Sequence, residues 1–143
     1  MKPKLLLRIA AIIIFLHAIG HTMGVYTWKD PNSQVPGELI KQMIEQKFNF
    51  MGKSASMGSF YEGFGYASTI AMLLVVSILW IIGTAAEKNA SLSAKLLWPI
   101  AAFLFLLGID EIIYFFPLAV AFSFIALLLT VVSIFKLNKS TNV

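Results

Sequence analysis

The sequence predicts an all-α fold: a four-helix transmembrane bundle with an amphipathic helix in the outer loop between the first and second spans. Three observations carry this. Hydrophobic residues make up 59% of the 143 positions and charged residues only 13%, against about 45–50% and about 25% in soluble domains. Four apolar stretches reach the roughly 20 residues that a spanning helix needs. The basic residues mostly flank those stretches instead of interrupting them.

Composition sets further bounds. With a mean hydropathy of +0.83, a water-soluble fold would leave large apolar patches exposed, so the lipid bilayer is the expected surrounding partner. The length suits one integral membrane domain over 1–143. The absence of cysteine excludes disulfides, thiolate metal sites and cysteine nucleophiles. A net charge of +4 could suggest nucleic acid, but the basic residues form no stripe with interleaved aromatics. No nucleic-acid partner is expected.

The first span is expected at about 5–25. Lys2, Lys4 and Arg8 before an apolar run resemble the start of a signal peptide. However, no small-x-small cleavage site follows cleanly, the run ending in His17, Gly20, His21 and Thr22, and a retained helix is expected. Arg8 is close enough to the helix start to snorkel toward the headgroups.

The outer loop, 26–59, begins with Lys29-Asp30-Pro31-Asn32-Ser33, which is turn material. Pro36 can open a helix, with Glu38 near the positive end of its dipole. Ile40, Met43, Ile44, Lys47, Phe48 and Met51 follow three-and-four spacing. This predicts an amphipathic helix of about 12–15 residues, too short to span, lying over the outer mouth of the bundle. Residues 52–58 read as a flexible entry to the second span at about 60–83.

From Leu96 to Phe135 the apolar text runs almost unbroken. One helix that long would measure about 60 Å, twice the hydrocarbon thickness. Pro117 breaks it, so a hairpin around Tyr114–Pro117 should separate a third span at about 94–113 from a fourth at about 117–135, followed by a polar tail. With both termini cytoplasmic, seven Lys/Arg lie inside and four outside, which favours that orientation.

Candidate functional residues come from three helices. His17 and His21 are four apart and emerge on one face of the first span, in a stripe with Ala10, Ile13 or Ile14, Gly20 and Gly24; the small residues there would let another helix approach. Gly58, Glu62, Gly65 and Thr69 repeat this on the second span, flanked by Tyr61 and Tyr66. The third contributes Asp110 and Glu111, of which only one can face the bundle. Asp110 is favoured, because Leu106, Leu107 and Tyr114 share its face. At helical rise His17 lies about 18 Å and His21 about 24 Å past Leu5, so these ionisable groups fall in the outer half. The expected site is a polar pocket holding His17, His21, Glu62 and Asp110, with Tyr61 and Tyr66 in its walls.

Three uses remain open for the His pair: interhelical packing, proton or ligand handling, and metal or haem ligation by His17 and His21. The H-x-x-x-H spacing can chelate a metal on one helix face, but Ala18-Ile19-Gly20 between them lacks the glutamate of a zincin. No cofactor is specified. A lipophilic small molecule and a membrane-protein partner are the two binding possibilities, and aromatics such as Tyr26, Trp28, Trp80 and Trp98 also fit interfacial belts.

Gly20-His21-Thr22-Met23-Gly24 together with Phe60-Tyr61-Glu62-Gly63-Phe64-Gly65 resembles an uncharacterised bacterial family of small four-span membrane proteins, with G-H-T-x-G ending the first helix and an F-Y-x-G-F-G-like stretch opening the second. The resemblance covers about 9–83. It departs before Phe60, where Ser54–Ser59 lacks an expected Arg and aromatic-acid pair. The layout is also similar to DoxX-like proteins and, more remotely, to the sterol-isomerase group. In that group acidic and His residues inside a bundle surround a lipophilic ligand. The resemblance implies the topology and the choice of His21 and Glu62.

Overall fold

The computed structural model describes residues 1–32 and 34–141. Ser33 of the expected turn and the last two residues of the expected tail lie outside the described residues. The elements are α1 (Pro3–Thr27), α2 (Gly37–Glu45), β1 (Lys47–Phe50), β2 (Lys53–Ser56), α3 (Met57–Ala85), α4 (Ala90–Tyr114) and α5 (Pro117–Thr141). Among the described residues α1, α3, α4 and the 117–139 part of α5 are each long and apolar enough to cross a bilayer. The chain is a small multi-pass membrane protein.

Its residues fall into two compact units, Met1–His17 with Met72–Val143, and Ala18–Ala71. The first contains the start of α1, the end of α3, and all of α4 and α5. Each helix turns a three-and-four stripe inward: Leu7, Ala10, Ala11 and Ile14 on α1; Met72, Val75, Leu79 and Ile82 on α3; Leu97, Ala101, Leu104 and Gly108 on α4; Ala119, Ser123, Ala126 and Thr130 on α5. Small residues make up the α5 stripe and half of the α4 stripe; lipid is as apolar as leucine, so close backbone approach helps select the inward face. At Gly108 a Cβ would come 2.7 Å from the Phe124 ring, a close approach in the α4–α5 seam. Thr130 and Ser133 satisfy their hydroxyls on the α5 carbonyls of Ala126 and Leu129, each at 2.8 Å.

A side-chain cap and a proline set the helix limits here. The Asn89 side chain accepts from the Leu92 amide at 3.0 Å and opens α4, a turn earlier than the hydropathy suggests. At the other end Tyr114 closes α4 and Pro117 starts α5, as the hairpin argument requires.

The second unit departs from expectation in the loop. Helix α2 is nine residues long, and the continuation expected through Phe48 and Met51 is instead an antiparallel hairpin pairing Lys47 with Ser56 and Phe50 with Lys53. Met51 (φ 51°) and Gly52 (φ 84°) both occupy the left-handed region, which a two-residue hairpin turn of matching twist requires. The Asn49 side chain accepts from the Gly52 amide at 3.0 Å. Phe48 and Phe50 alternate correctly to meet Phe60 at 5.9 and 5.3 Å, anchoring the hairpin on α3. Residues 52–58 are therefore not a flexible entry. Ser56 and Ser59 exchange side-chain-to-amide bonds of 3.0 and 3.2 Å, a reciprocal cap at the start of α3.

Candidate functional site

Among the described residues the first unit holds one arrangement of candidate polar residues and the second unit holds two. His17 is the last polar position of the α1 stripe in the first unit. Its Nε2 lies 3.3 Å from Glu111 Oε1, with side chains only 7% and 3% exposed. Glu111 follows Leu104 and Gly108 on the buried face of α4, and Asp110 is exposed. The expectation that Asp110 faces inward is therefore corrected. Leu106 and Tyr114, which suggested it, are 65% and 73% exposed; large apolar side chains on a spanning helix favour lipid, while the small seam faces the bundle.

The α5 helix completes this centre. Phe122 stacks on the His17 ring at 5.6 Å between centroids and 21° between planes. Ser123 is fully buried, and its hydroxyl is near enough to interact with the Glu111 carboxyl, although neither Glu111 Oε2 nor Ser123 Oγ has a hydrogen bond of standard geometry. Three helices thus meet around one imidazole and one carboxyl. Such a pair can share or pass a proton, and Ser123 supplies a hydroxyl beside it.

In the second unit the stripe read on α3 meets the end of α1 residue by residue. Thr69 receives His21 Nδ1 at 3.3 Å and Thr22 Oγ1 at 3.0 Å, while Thr22 donates to the Ala18 carbonyl at 2.7 Å. The Thr69 hydroxyl also reaches the Gly65 carbonyl at 3.2 Å, so with Thr22 donating to Ala18 the single Thr69 proton serves either Gly65 or Thr22, while Thr69 can accept from His21 Nδ1–H. Gly65 lies so close to Val25 that a Cβ would collide with it. Gly20 and Gly24, expected to admit a neighbouring helix, have nothing within 4 Å of where a Cβ would stand.

Glu62 belongs to an exposed cluster. Its Oε1 accepts from Lys29 Nζ at 2.7 Å and from Trp28 Nε1 at 3.4 Å. This hydrogen bond and the carboxylate charge hold the Lys29 ammonium above its ordinary value. Tyr61 packs on Trp28 at 5.2 Å and Tyr66 meets Tyr26 edge-on at 6.0 Å; both tyrosines are well exposed. Sequence reasoning read Trp28 as belt and Lys29 as turn, and missed both as partners of Glu62. The signal was available, since Trp28 extends the stripe Ala18, His21, Val25 by one step.

The four polar candidates are thus dealt with by different partners: His17 by Glu111, His21 by Thr69, Glu62 by Lys29 and Trp28, with Asp110 outward. Among the described residues no group of three or more His, Asp or Glu side chains is placed to hold a metal ion. A cavity of about 610 Å³ does exist, but it opens in the first unit at the end where α1 begins and α5 finishes, bordered by Lys2, Lys4, Glu87, Lys136 and Lys139. No family model, curated protein or solved structure gives a significant match to this chain.

Proposed function

We propose that this membrane protein carries a proton on the His17–Glu111 pair and uses the pair as the polar anchor for a lipophilic or amphipathic small molecule. The observation that carries this reading is an imidazole and a carboxyl buried together between α1 and α4. Ionisable groups are costly inside a membrane and concentrate where substrates, ions or protons are handled. A buried pair of this kind is often no more stabilising than apolar residues of similar volume, so packing alone supplies little reason to keep it. The stacked Phe122 ring limits rotation of the imidazole and presents an apolar wall beside it. That combination suits a ligand with one polar end. We place both termini on the cytoplasmic side of a bacterial inner membrane, from the seven-to-four division of Lys and Arg.

The test is the thermal stability of the purified protein with and without the lipophilic molecules that co-purify with it. Readdition should raise the unfolding midpoint of the wild type, and Glu111→Gln and His17→Gln should fold but lose most of that rise. An equal rise in all three proteins contradicts the proposal.

A second reading, a non-catalytic subunit that packs against a partner protein, is favoured by one observation. Gly20 and Gly24 present an open small-residue face of the kind that mediates helix association in membranes. Gly20→Leu would then reduce recovery of a complex while leaving the isolated chain's stability unchanged.

A further inference from the structure

The cavity at the start of α1 is built from residues that the proposed function does not use. Lys2 and Lys4 enter from α1 and the residues before it, Glu87 from the turn after α3, and Lys136 and Lys139 from the last turns of α5. Four ammonium groups therefore border one space, against a single carboxylate. Lys4 pairs with Glu87 at 2.9 Å; among the described residues Lys2, Lys136 and Lys139 have no carboxylate partner.

Orientation of the protein in the membrane explains why lysines occur at this end. It does not explain a cavity between them. Charges that serve orientation alone need only reach water, and mutual repulsion should spread them apart. Here helix ends distant in sequence, residues 2–4 and 136–139, bring them around a common void of about 610 Å³, within the roughly 300–1,000 Å³ of small-molecule sites. Leu137, 3% exposed, adds an apolar wall beside the charges. Lys4 first, then Lys2 and Arg8, hold the Glu87 carboxyl below its ordinary range, so the positive field converges on an oxygen anion already at the rim.

We propose that this cavity binds the phosphate of an anionic phospholipid headgroup. The site lies at the ends of three spanning helices, which is headgroup depth, and basic pockets between spanning helices hold anionic lipid headgroups. Glu87 is the resident counter-ion, and the lipid phosphate competes with it for Lys4 while engaging the three lysines that lack a carboxylate.

The full chain in detergent, titrated with phosphatidylglycerol, phosphatidylcholine and inorganic phosphate, tests this by native mass spectrometry. Phosphatidylglycerol should bind at least about tenfold more tightly than phosphatidylcholine. Removing charge should cost about fivefold per lysine, so the triple variant Lys2→Gln, Lys136→Gln, Lys139→Gln should fall to the phosphatidylcholine level. Glu87→Gln, which removes the competing carboxylate, should tighten phosphatidylglycerol binding. Circular dichroism of each variant verifies the helical fold. Equal retention of the two lipids, or an undiminished preference in the triple variant, overturns the site. Tighter binding of inorganic phosphate than of phosphatidylglycerol overturns its assignment to a lipid.

Discussion

Replacing Glu111 with Leu removes one half of the buried pair and leaves His17 facing an apolar side chain. Two regimes bracket the cost. Losing one member of a fully ionised buried pair costs about 3–5 kcal/mol; stranding a neutral buried hydrogen-bonding group costs about 1–3 kcal/mol. The separation selects between them. His17 and Glu111 stand 3.3 Å apart, longer than the roughly 2.7–2.9 Å of charge-assisted bonds and longer than Lys29–Glu62 at 2.7 Å or Lys4–Glu87 at 2.9 Å in the same chain. The lower regime applies, so Glu111→Leu should destabilise by about 1–3 kcal/mol. His17→Phe should cost a comparable amount by stranding the carboxyl. The double variant removes both polar groups and keeps a ring against Phe122, so it should recover most of the loss. The double-mutant cycle, measured by unfolding in bicelles, should give a coupling of about 1–2 kcal/mol. A coupling indistinguishable from zero would mean that the two residues do not act as a unit, and the argument built on their pairing fails.

Three further outcomes follow from other parts of the molecule. Gly65→Ala should destabilise by about 1–3 kcal/mol through overpacking against Val25, with partial rescue by Val25→Ala. Gly20→Ala and Gly24→Ala, which meet open space, should cost the isolated chain nothing; all are read by thermal unfolding. Met51→Asn should stabilise the β1–β2 hairpin by about 0.5–1 kcal/mol, because Asn accepts the left-handed conformation that Met51 adopts at φ 51°; hydrogen exchange at the hairpin amides reports it. The Lys4–Glu87 tie should be sensitive to acid. Lys4 depresses the Glu87 carboxyl below 4.5, so its contribution is fully present above that value and is lost as the pH falls through the lower folded value. The stability difference between wild type and Glu87→Gln should therefore vanish on strong acidification, while at neutral pH it stays small because the pair is exposed.

The sequence was most informative where chain chemistry forces a choice. Pro117 had to end the long apolar run, and α5 begins on it. Gly58, Glu62, Gly65 and Thr69 share one face by spacing alone, and each meets a residue near the end of α1. Reasoning failed where two periodicities overlapped. Phe48 and Met51 fit a helical spacing after Ile44, yet Phe48 and Phe50 also alternate with Lys47 and Asn49, and Met51-Gly52 supplies the turn. The hairpin wins because alternation delivers both Phe rings to Phe60. The choice of Asp110 over Glu111 failed for a different reason. It treated large apolar neighbours as the core face, a rule that discriminates in water and does not in lipid, where an apolar side chain suits either side. The seven-residue recurrence of Ala94, Ala101 and Gly108 marks the bundle side of α4 and carries Glu111 with it. The convergence of residues 2–4 with 136–139 around a cavity is a tertiary fact with no local trace.

Under the proposed function His17 and Glu111 form one exchangeable proton site inside the bundle. Solid-state NMR of the protein in bilayers, labelled at the histidine ring nitrogens and the glutamate carboxyl carbons, tests it most directly. The resonances of His17 and Glu111 should move together through a shared titration, and Glu111→Gln should abolish the His17 step seen in the wild type. Independent titration of the two groups, or His17 resonances that stay fixed across the accessible pH range, would contradict the account.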